Sequence, residues 1–267
     1  MTQFEDVDYS QRHADFEHWF QTPLGRGLLA DQRACVDASI APLTGARQLQ
    51  IGVSHRLPLG TCSDFSQRIM TTPRWHSHLP DGVVVCDADE LPFPGDSMDL
   101  VILHHGADFS AYPHQVLREC SRVLRGGGQM LILGFNPLSL WGVRKFVLRH
   151  TFGPWGGRFL LRSRMEDWLR LLDFQVESVH SRFFTLPVQG AARMNNPARR
   201  RIPGARFLPG GAYYCILATK QVCSPIKRRQ VWRRKRVIGL PGGGSLGVSR
   251  GYRQVISGKE GGNGNGE

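Results

Sequence analysis

Three short stretches of this chain hold side chains whose types and spacing could do chemistry. Asp87, with Ala88 beside it, directly follows the apolar run Val83-Val-Val-Cys86. A carboxylate at the carboxyl end of a strand can accept a hydrogen bond from a ligand's amino group, or it can simply close a turn. His104-His105 ends a second run, Asp99-Leu-Val-Ile-Leu103. Histidine titrates near neutrality, so His105 is a candidate general base; packing in the core is the competing reading. The third stretch is Gln48-Leu-Gln-Ile-Gly-Val-Ser-His-Arg56, in which Gly52 ends a strand-like segment. Glycine there lets backbone approach a ligand closely.

Positioning these residues requires elements that the hydrophobic pattern provides. Phe16, Trp19 and Phe20 form an i, i+3, i+4 set, and Leu28, Leu29, Val36 and Ile40 continue the stripe, so 13–43 reads as helical, with Pro23 suiting a helix start. A short strand spans 47–53, and 54–81 is poorly patterned. The runs at 83–86, 99–103 and 130–133 are apolar on both faces, as buried strands of a parallel sheet are. Between the last two, Val116, Leu117, Cys120, Val123 and Leu124 recur at helical spacing, and Gly126-Gly-Gly128 reads as the helix terminator. Strand, helix, strand makes a βαβ unit. A further helix is expected over 164–172 with Ser163 as N-cap, then strands at 174–185 and 212–219. On its spacing, Arg118-Glu119-Arg122 reads as a surface ion-pair set, and Asn136-Pro137 as a loop-shaping pair.

The chain has 267 residues, 41% of them hydrophobic, which suffices for a sizeable core and excludes collagen-like, coiled-coil and wholly disordered classes. It has no run of 18 apolar residues, so no transmembrane helix is expected. The opening residues are acidic and polar, unlike a signal peptide, and the six cysteines show no C-x-x-C pair. Reduced thiols, no metal site and a cytoplasmic location are the expectations. The net charge of +12 is uneven: residues 1–110 carry −8, residues 111–220 carry +12 and residues 221–267 carry +8. Three parts follow: a helical lead-in (1–45), an α/β domain (46–222) and a basic, Gly-rich tail (223–267) expected to be disordered.

Residues 83–136 resemble the class I S-adenosylmethionine-dependent methyltransferases of type 11. The matching blocks, in order, are Asp87-Ala-Asp-Glu-Leu-Pro-Phe-Pro94, Ser97-Met-Asp-Leu-Val-Ile-Leu-His-His105, Leu117–Gly128 and Met130-Leu-Ile-Leu-Gly-Phe-Asn-Pro137. The basic tail and the G-F-N-P-x-S-x-x-G segment are similar to an uncharacterised bacterial group within that class. The resemblance, which reaches across residues 13–220, implies a Rossmann-like α/β fold: a mostly parallel seven-stranded sheet, its last strand antiparallel, with helices on both faces. It also implies S-adenosyl-L-methionine as cofactor. Gly52, Asp87, Ala88, Leu91 and His104 are the positions it assigns to cofactor binding: Asp87 and Ala88 to adenine, Leu91 to an apolar face, and His104 to a backbone contact with the methionine part.

One block departs from the family pattern. Where the family has an acid and three alternating glycines, this chain keeps Gly52 but has Gln50, Ser54 and Arg56 at the other positions. Side chains there are expected to obstruct the cofactor's methionine part. The carboxylate expected near position 72 for the ribose hydroxyls is also missing, with Asp64 and Gln67, read as helix-like, the possible substitutes. The first reading is therefore a methyltransferase whose acceptor is unidentified, and acidic if the Arg193–Arg206 cluster faces it. The alternative is a catalytically inactive, methyltransferase-like binding or partner protein, associated with RNA through non-specific contacts of the basic run at 227–236.

Overall fold

The computed structural model describes residues 9–148, 152–187 and 210–222. The Arg193–Arg206 cluster and the tail, with its run at 227–236, lie outside the described residues. The helical lead-in is two helices, α1 (Tyr9–Trp19) and α2 (Pro23–Ile40). Pro23 opens α2, and Thr22 caps it by accepting from the Gly25 N–H at 3.1 Å. Gly25 lets the two helices meet, since a Cβ there would lie 2.4 Å from the Trp19 carbonyl oxygen.

The sheet follows, with β1 (Thr44–Gly52), β2 (Asp64–Thr72), β3 (Val83–Val85), β4 (Met98–His104), β5 (Leu124–Phe135), β6 (Phe174–Arg182) and β7 (Tyr213–Lys220). Its order is β3-β2-β1-β4-β5-β7-β6. Strands β1 to β5 pair in parallel, and β7 runs antiparallel to β5 and β6. Helices α3 (Pro113–Val123) and α5 (Arg162–Leu171) cover one face; α1, α2 and α4 (Leu140–Leu148) cover the other. No helix of the described residues is long and apolar enough to cross a membrane.

Several local expectations are corrected. Strand β2 occupies the segment read as unpatterned, and Asp64 and Gln67 lie on it rather than on a helix. Asp64, Ser66, Gln67 and Arg68 are all exposed, so the strand lacks the apolar signal that marks a buried one. Gly126–Gly128 does not terminate α3, which ends at Val123; it lies inside β5. There the pairing with β4 jumps from Met98↔Leu124 to Leu100↔Gln129, a bulge made possible by Gly127 at φ 78°. The N-cap of α5 is Leu161, without a side-chain hydrogen bond, not Ser163.

The most consequential feature is a missing crossover helix. Strands β1 and β2 are joined by loop 53–63 alone, although parallel neighbours are usually joined by a helix. Two glutamines on one face of β1 hold that loop. Gln50 Nε2 donates to the Leu57 carbonyl (2.8 Å), and Gln50 Oε1 accepts from the Leu59 N–H (2.8 Å). Gln48 Oε1 accepts from the Ser63 hydroxyl at 2.6 Å. Both glutamines are buried, so they satisfy loop backbone that water cannot reach. Leu57 and Leu59 then join the core, where α1 and α2 pack with Phe16, Trp19, Phe20, Leu28 and Ile40.

Candidate functional site

Strand order reverses between β1 and β4, and a pocket of about 220 Å³ lies at the carboxyl ends of these strands. Gly52 and Val53 come from the end of β1, Pro73 from just past β2, Asp87 to Asp89 from past β3, and Gly106 from past β4. The loop Phe109–Tyr112 and His13 of α1 line the remaining sides. Four parallel strands thus deliver to one place, as open α/β sheets do at a topological switch point. Asp87 is exposed and Tyr112 is 67% exposed, so the pocket opens to solvent. It is smaller than the roughly 300–1,000 Å³ of typical ligand sites, so it cradles part of a molecule rather than engulfing it. The charge of Asp87, after burial, helps push the neighbouring Cys86 thiol up to about 11, which keeps that thiol neutral.

Behind this pocket lies a buried polar relay. His104 Nε2 donates to Gln32 Oε1 (3.1 Å), and Gln32 Nε2 donates to His105 Nε2 (2.7 Å). The remaining proton of His105, on Nδ1, goes to Asp108 Oδ2 (2.8 Å), which also accepts from the Phe135 N–H (2.9 Å). Donor counting therefore fixes both tautomers. Burial lowers His104 well below the usual histidine range and His105 to about 3. It also raises Asp108 well above the carboxylate range, against the opposing Phe135 N–H and Lys145 charge. His105 sits at φ 55°, and its ring stacks on Phe135 at 4.0 Å. This turn carries the chain from β4 into the wall formed by Gly106 and Phe109.

Three of the sequence-assigned residues, Gly52, Asp87 and Ala88, meet in the pocket. The other two do not line it. Leu91 is buried in the apolar cluster of the opposite face, and the His104 ring is wholly buried. His105, the candidate base, is fully buried with both ring nitrogens engaged, so it acts as scaffold for the pocket wall. The Glu119–Arg122 pair does more than decorate a surface. Glu119 Oε2 accepts from the Leu91 N–H (3.1 Å), while Arg122 donates to the carbonyls of Leu91 and Phe93 (each 2.8 Å), so the pair anchors the turn after Asp89. Arg122 in turn holds Glu119 below the usual carboxylate range.

The substituted glycine positions do not block the pocket as expected. Ser54 is buried and accepts from the Arg56 N–H at 3.1 Å, and Arg56 turns away to pair with Glu17 of α1 at 3.1 Å. The side chain that does line the pocket is Val53. Neither Asp64 nor Gln67 can reach a ligand here. Asp64 pairs with Thr44 at the start of β1, eight residues of strand and roughly 26 Å from the pocket end. Asp89 does line the pocket, and sequence reasoning missed it. Its signal was its place two residues beyond Asp87, in the same turn past β3.

Residues 54–132 match the family described as a methyltransferase domain. The fold matches that of a SAM-dependent methyltransferase from Thermotoga maritima, with TM-score 0.54 and 19% identity over 80% of this chain and 98% of that one. It also matches a chain of the Haloferax volcanii complex of the Trm112 methyltransferase activator with a methyltransferase, at TM-score 0.55 and 16% identity over 79% and 98%. What the chain shares with these proteins is the fold, together with a methyltransferase-domain match over residues 54–132. The match to this domain begins just past Gly52 and Val53, so the substituted glycine block lies at its very edge. Curated relatives are similar over part of their length. The uncharacterized protein YafS of Escherichia coli K12 is 43% identical over 106 residues, 39% of this chain and 43% of YafS. The ubiquinone/menaquinone biosynthesis C-methyltransferase UbiE of Laribacter hongkongensis is 41% identical over 54 residues, 20% and 22% of the two chains. The matches span less than half the length of these relatives.

Asn136-Pro137 also receives a structural role. Asn136 Oδ1 accepts from the Leu138 N–H (3.0 Å), and the Ser139 hydroxyl donates to the Asn136 carbonyl (2.6 Å). Gly142 is required by the same turn, since a Cβ there would lie 1.9 Å from the Pro137 oxygen. The G-F-N-P-x-S-x-x-G text is thus the turn that launches α4.

Proposed function

We propose that this protein transfers a methyl group from S-adenosylmethionine to an acceptor still to be identified. The observation that carries the reading is the convergence of Gly52, Asp87, Ala88 and Asp89 on one pocket at the reversal of strand order. The residues present suit the cofactor: two open carboxylates can accept from its amino and hydroxyl groups, and small residues leave room for it. Asp87 and Ala88 would hold the adenine, Asp89 the ribose hydroxyls, and the Gly52 backbone the methionine part. When bound, the cofactor supplies an activated methyl group on a positive sulfur centre. The chain's share is to fix the relative position of cofactor and acceptor, which accelerates transfer without a dedicated base. The two carboxylates add attraction for the positive centre.

An acceptor bearing negative charge belongs to this proposal, supported by the +12 carried by residues 111–220. Nucleic-acid contact through 227–236 rests on sequence alone, and a cytoplasmic location on cysteines that are free thiols among the described residues. The test is incubation with cofactor labelled on its methyl group, together with fractionated extract. Label moving into an acceptor supports transfer. Label that stays on a bound cofactor supports the non-catalytic reading, which Val53 in the pocket favours.

A further inference from the structure

Helix α4 has two apolar sides. Trp141 faces the core and is 1% exposed, whereas Val143, Phe146 and Val147, at i, i+3 and i+4, are 56%, 87% and 69% exposed. A helix apolar on both sides ordinarily has a neighbour on each. Six of the eleven large hydrophobic residues exposed among the described residues fall between Leu138 and Leu161, concentrated along one stretch of the chain that includes the outer face of α4. An open recess of about 810 Å³ adjoins the patch, lined by Val143, Phe146, Trp155 and Phe159 with Lys145 and Arg158.

The charge around this patch is one-sided. Residues 120–165 contain eight Lys and Arg and no Asp or Glu, and of these Arg122, Arg125 and Arg162 pair with Glu119, Asp99 and Glu166 outside that stretch. Arg144, Lys145 and Arg158 donate to the carbonyls of Pro187, Gly157 and Ala111 and form no ion pair among the described residues, although the charge of Lys145 is felt by buried Asp108. Exposed aromatic and aliphatic side chains beside Lys145 and Arg158 match the chemistry of an anionic lipid surface, where the apolar groups enter the acyl boundary and the cations meet phosphate.

We propose that the outer face of α4 docks this protein on anionic phospholipid bilayers. The test is co-sedimentation of the full chain with phosphatidylcholine vesicles, with and without phosphatidylglycerol. Binding is expected with phosphatidylglycerol and to be roughly tenfold weaker without it. Replacing Val143, Phe146 and Val147 together by serine should weaken binding to the anionic vesicles at least ~10-fold, with unfolding temperature and S-adenosylhomocysteine affinity unchanged. Phe146→Glu alone should act in the same direction, which guards against misfolding of the triple variant. Absence of binding to anionic vesicles overturns the proposal. So does undiminished binding by the serine variant, which would assign adhesion to basic residues elsewhere. A wild-type dimer that the same variant splits would also overturn it, making the face a self-association surface.

Discussion

Restoring an acid at position 50, as the family pattern has it, should harm this protein. Gln50 is 2% exposed, accepts from the Leu59 N–H and donates to the Leu57 carbonyl, both at 2.8 Å. In Gln50→Glu the acceptor survives, but the donor becomes a second oxygen facing the Leu57 carbonyl. Leaving that buried carbonyl unpaired costs about 1–3 kcal/mol. Burial of the carboxylate adds about 1.4 kcal/mol for each unit by which its pKa rises. A loss of about 2–4 kcal/mol at pH 7 follows, which for a domain of this size lowers the unfolding temperature by roughly 4–16 °C. The sign of the pH effect is fixed: the folded state keeps its proton above the unfolded value of about 4.3, so stability falls as pH rises through that window. Thermal unfolding followed by circular dichroism at about pH 4.5 and pH 7 should show a deficit that grows with pH. Gln50→Leu, which loses both bonds but buries no charge, should show a deficit independent of pH. A Gln50→Glu protein as stable as its parent at pH 7 would refute the role given to this side chain, and with it the account of how loop 53–63 replaces a helix.

Other consequences can be measured alongside. Asp87→Ala and Asp89→Ala should each weaken S-adenosylhomocysteine binding by roughly ten- to a hundredfold, the worth of a hydrogen bond to a charged acceptor, without lowering the unfolding temperature; normal affinity in either variant would show that its carboxylate does not touch the ligand. Arg56→Ala, which removes an ion pair between a side chain 60% exposed and Glu17, should cost less than about 1 kcal/mol and leave cofactor affinity unchanged. A change in affinity would place Arg56 in the pocket after all. Between about pH 4 and pH 6.5 the unfolded chain binds protons at His104 and His105 that the folded chain excludes, whereas folded Asp108 keeps one that the unfolded chain has released. The net difference of one proton makes stability rise with pH by about 1.4 kcal/mol per unit over that window, measurable by urea unfolding. A flat profile would mean that the relay is not neutral.

The parts legible in the sequence are those whose environment is uniform along the chain. Strand β4 and the second half of β5 are buried on both faces and read as apolar runs, and the α3 stripe recurs at helical spacing. Strand β2 was illegible because the polar residues of its first half face solvent on both sides. In the site, Gly52, Asp87 and Ala88 follow from the rule that ligands bind past the carboxyl ends of strands. That rule also placed His104 and His105 at the right edge but could not say where their rings point. Their partner, Gln32, lies 72 and 73 residues upstream on α2, and no local pattern links them. Gln48 and Gln50 did carry a signal, two polar residues at period two in an otherwise buried strand. At Gln50 it resembles the loss of a family acid, yet in both residues it records a structural need.

The most direct measurement is calorimetric titration of the purified full chain with S-adenosylhomocysteine. Saturable one-to-one binding is expected, and at ligand concentrations about a hundredfold above the dissociation constant the folded state should gain about 2.7 kcal/mol. No heat and no gain in stability at millimolar ligand would contradict the central claim that the ends of β1 to β4 still form an adenosyl pocket.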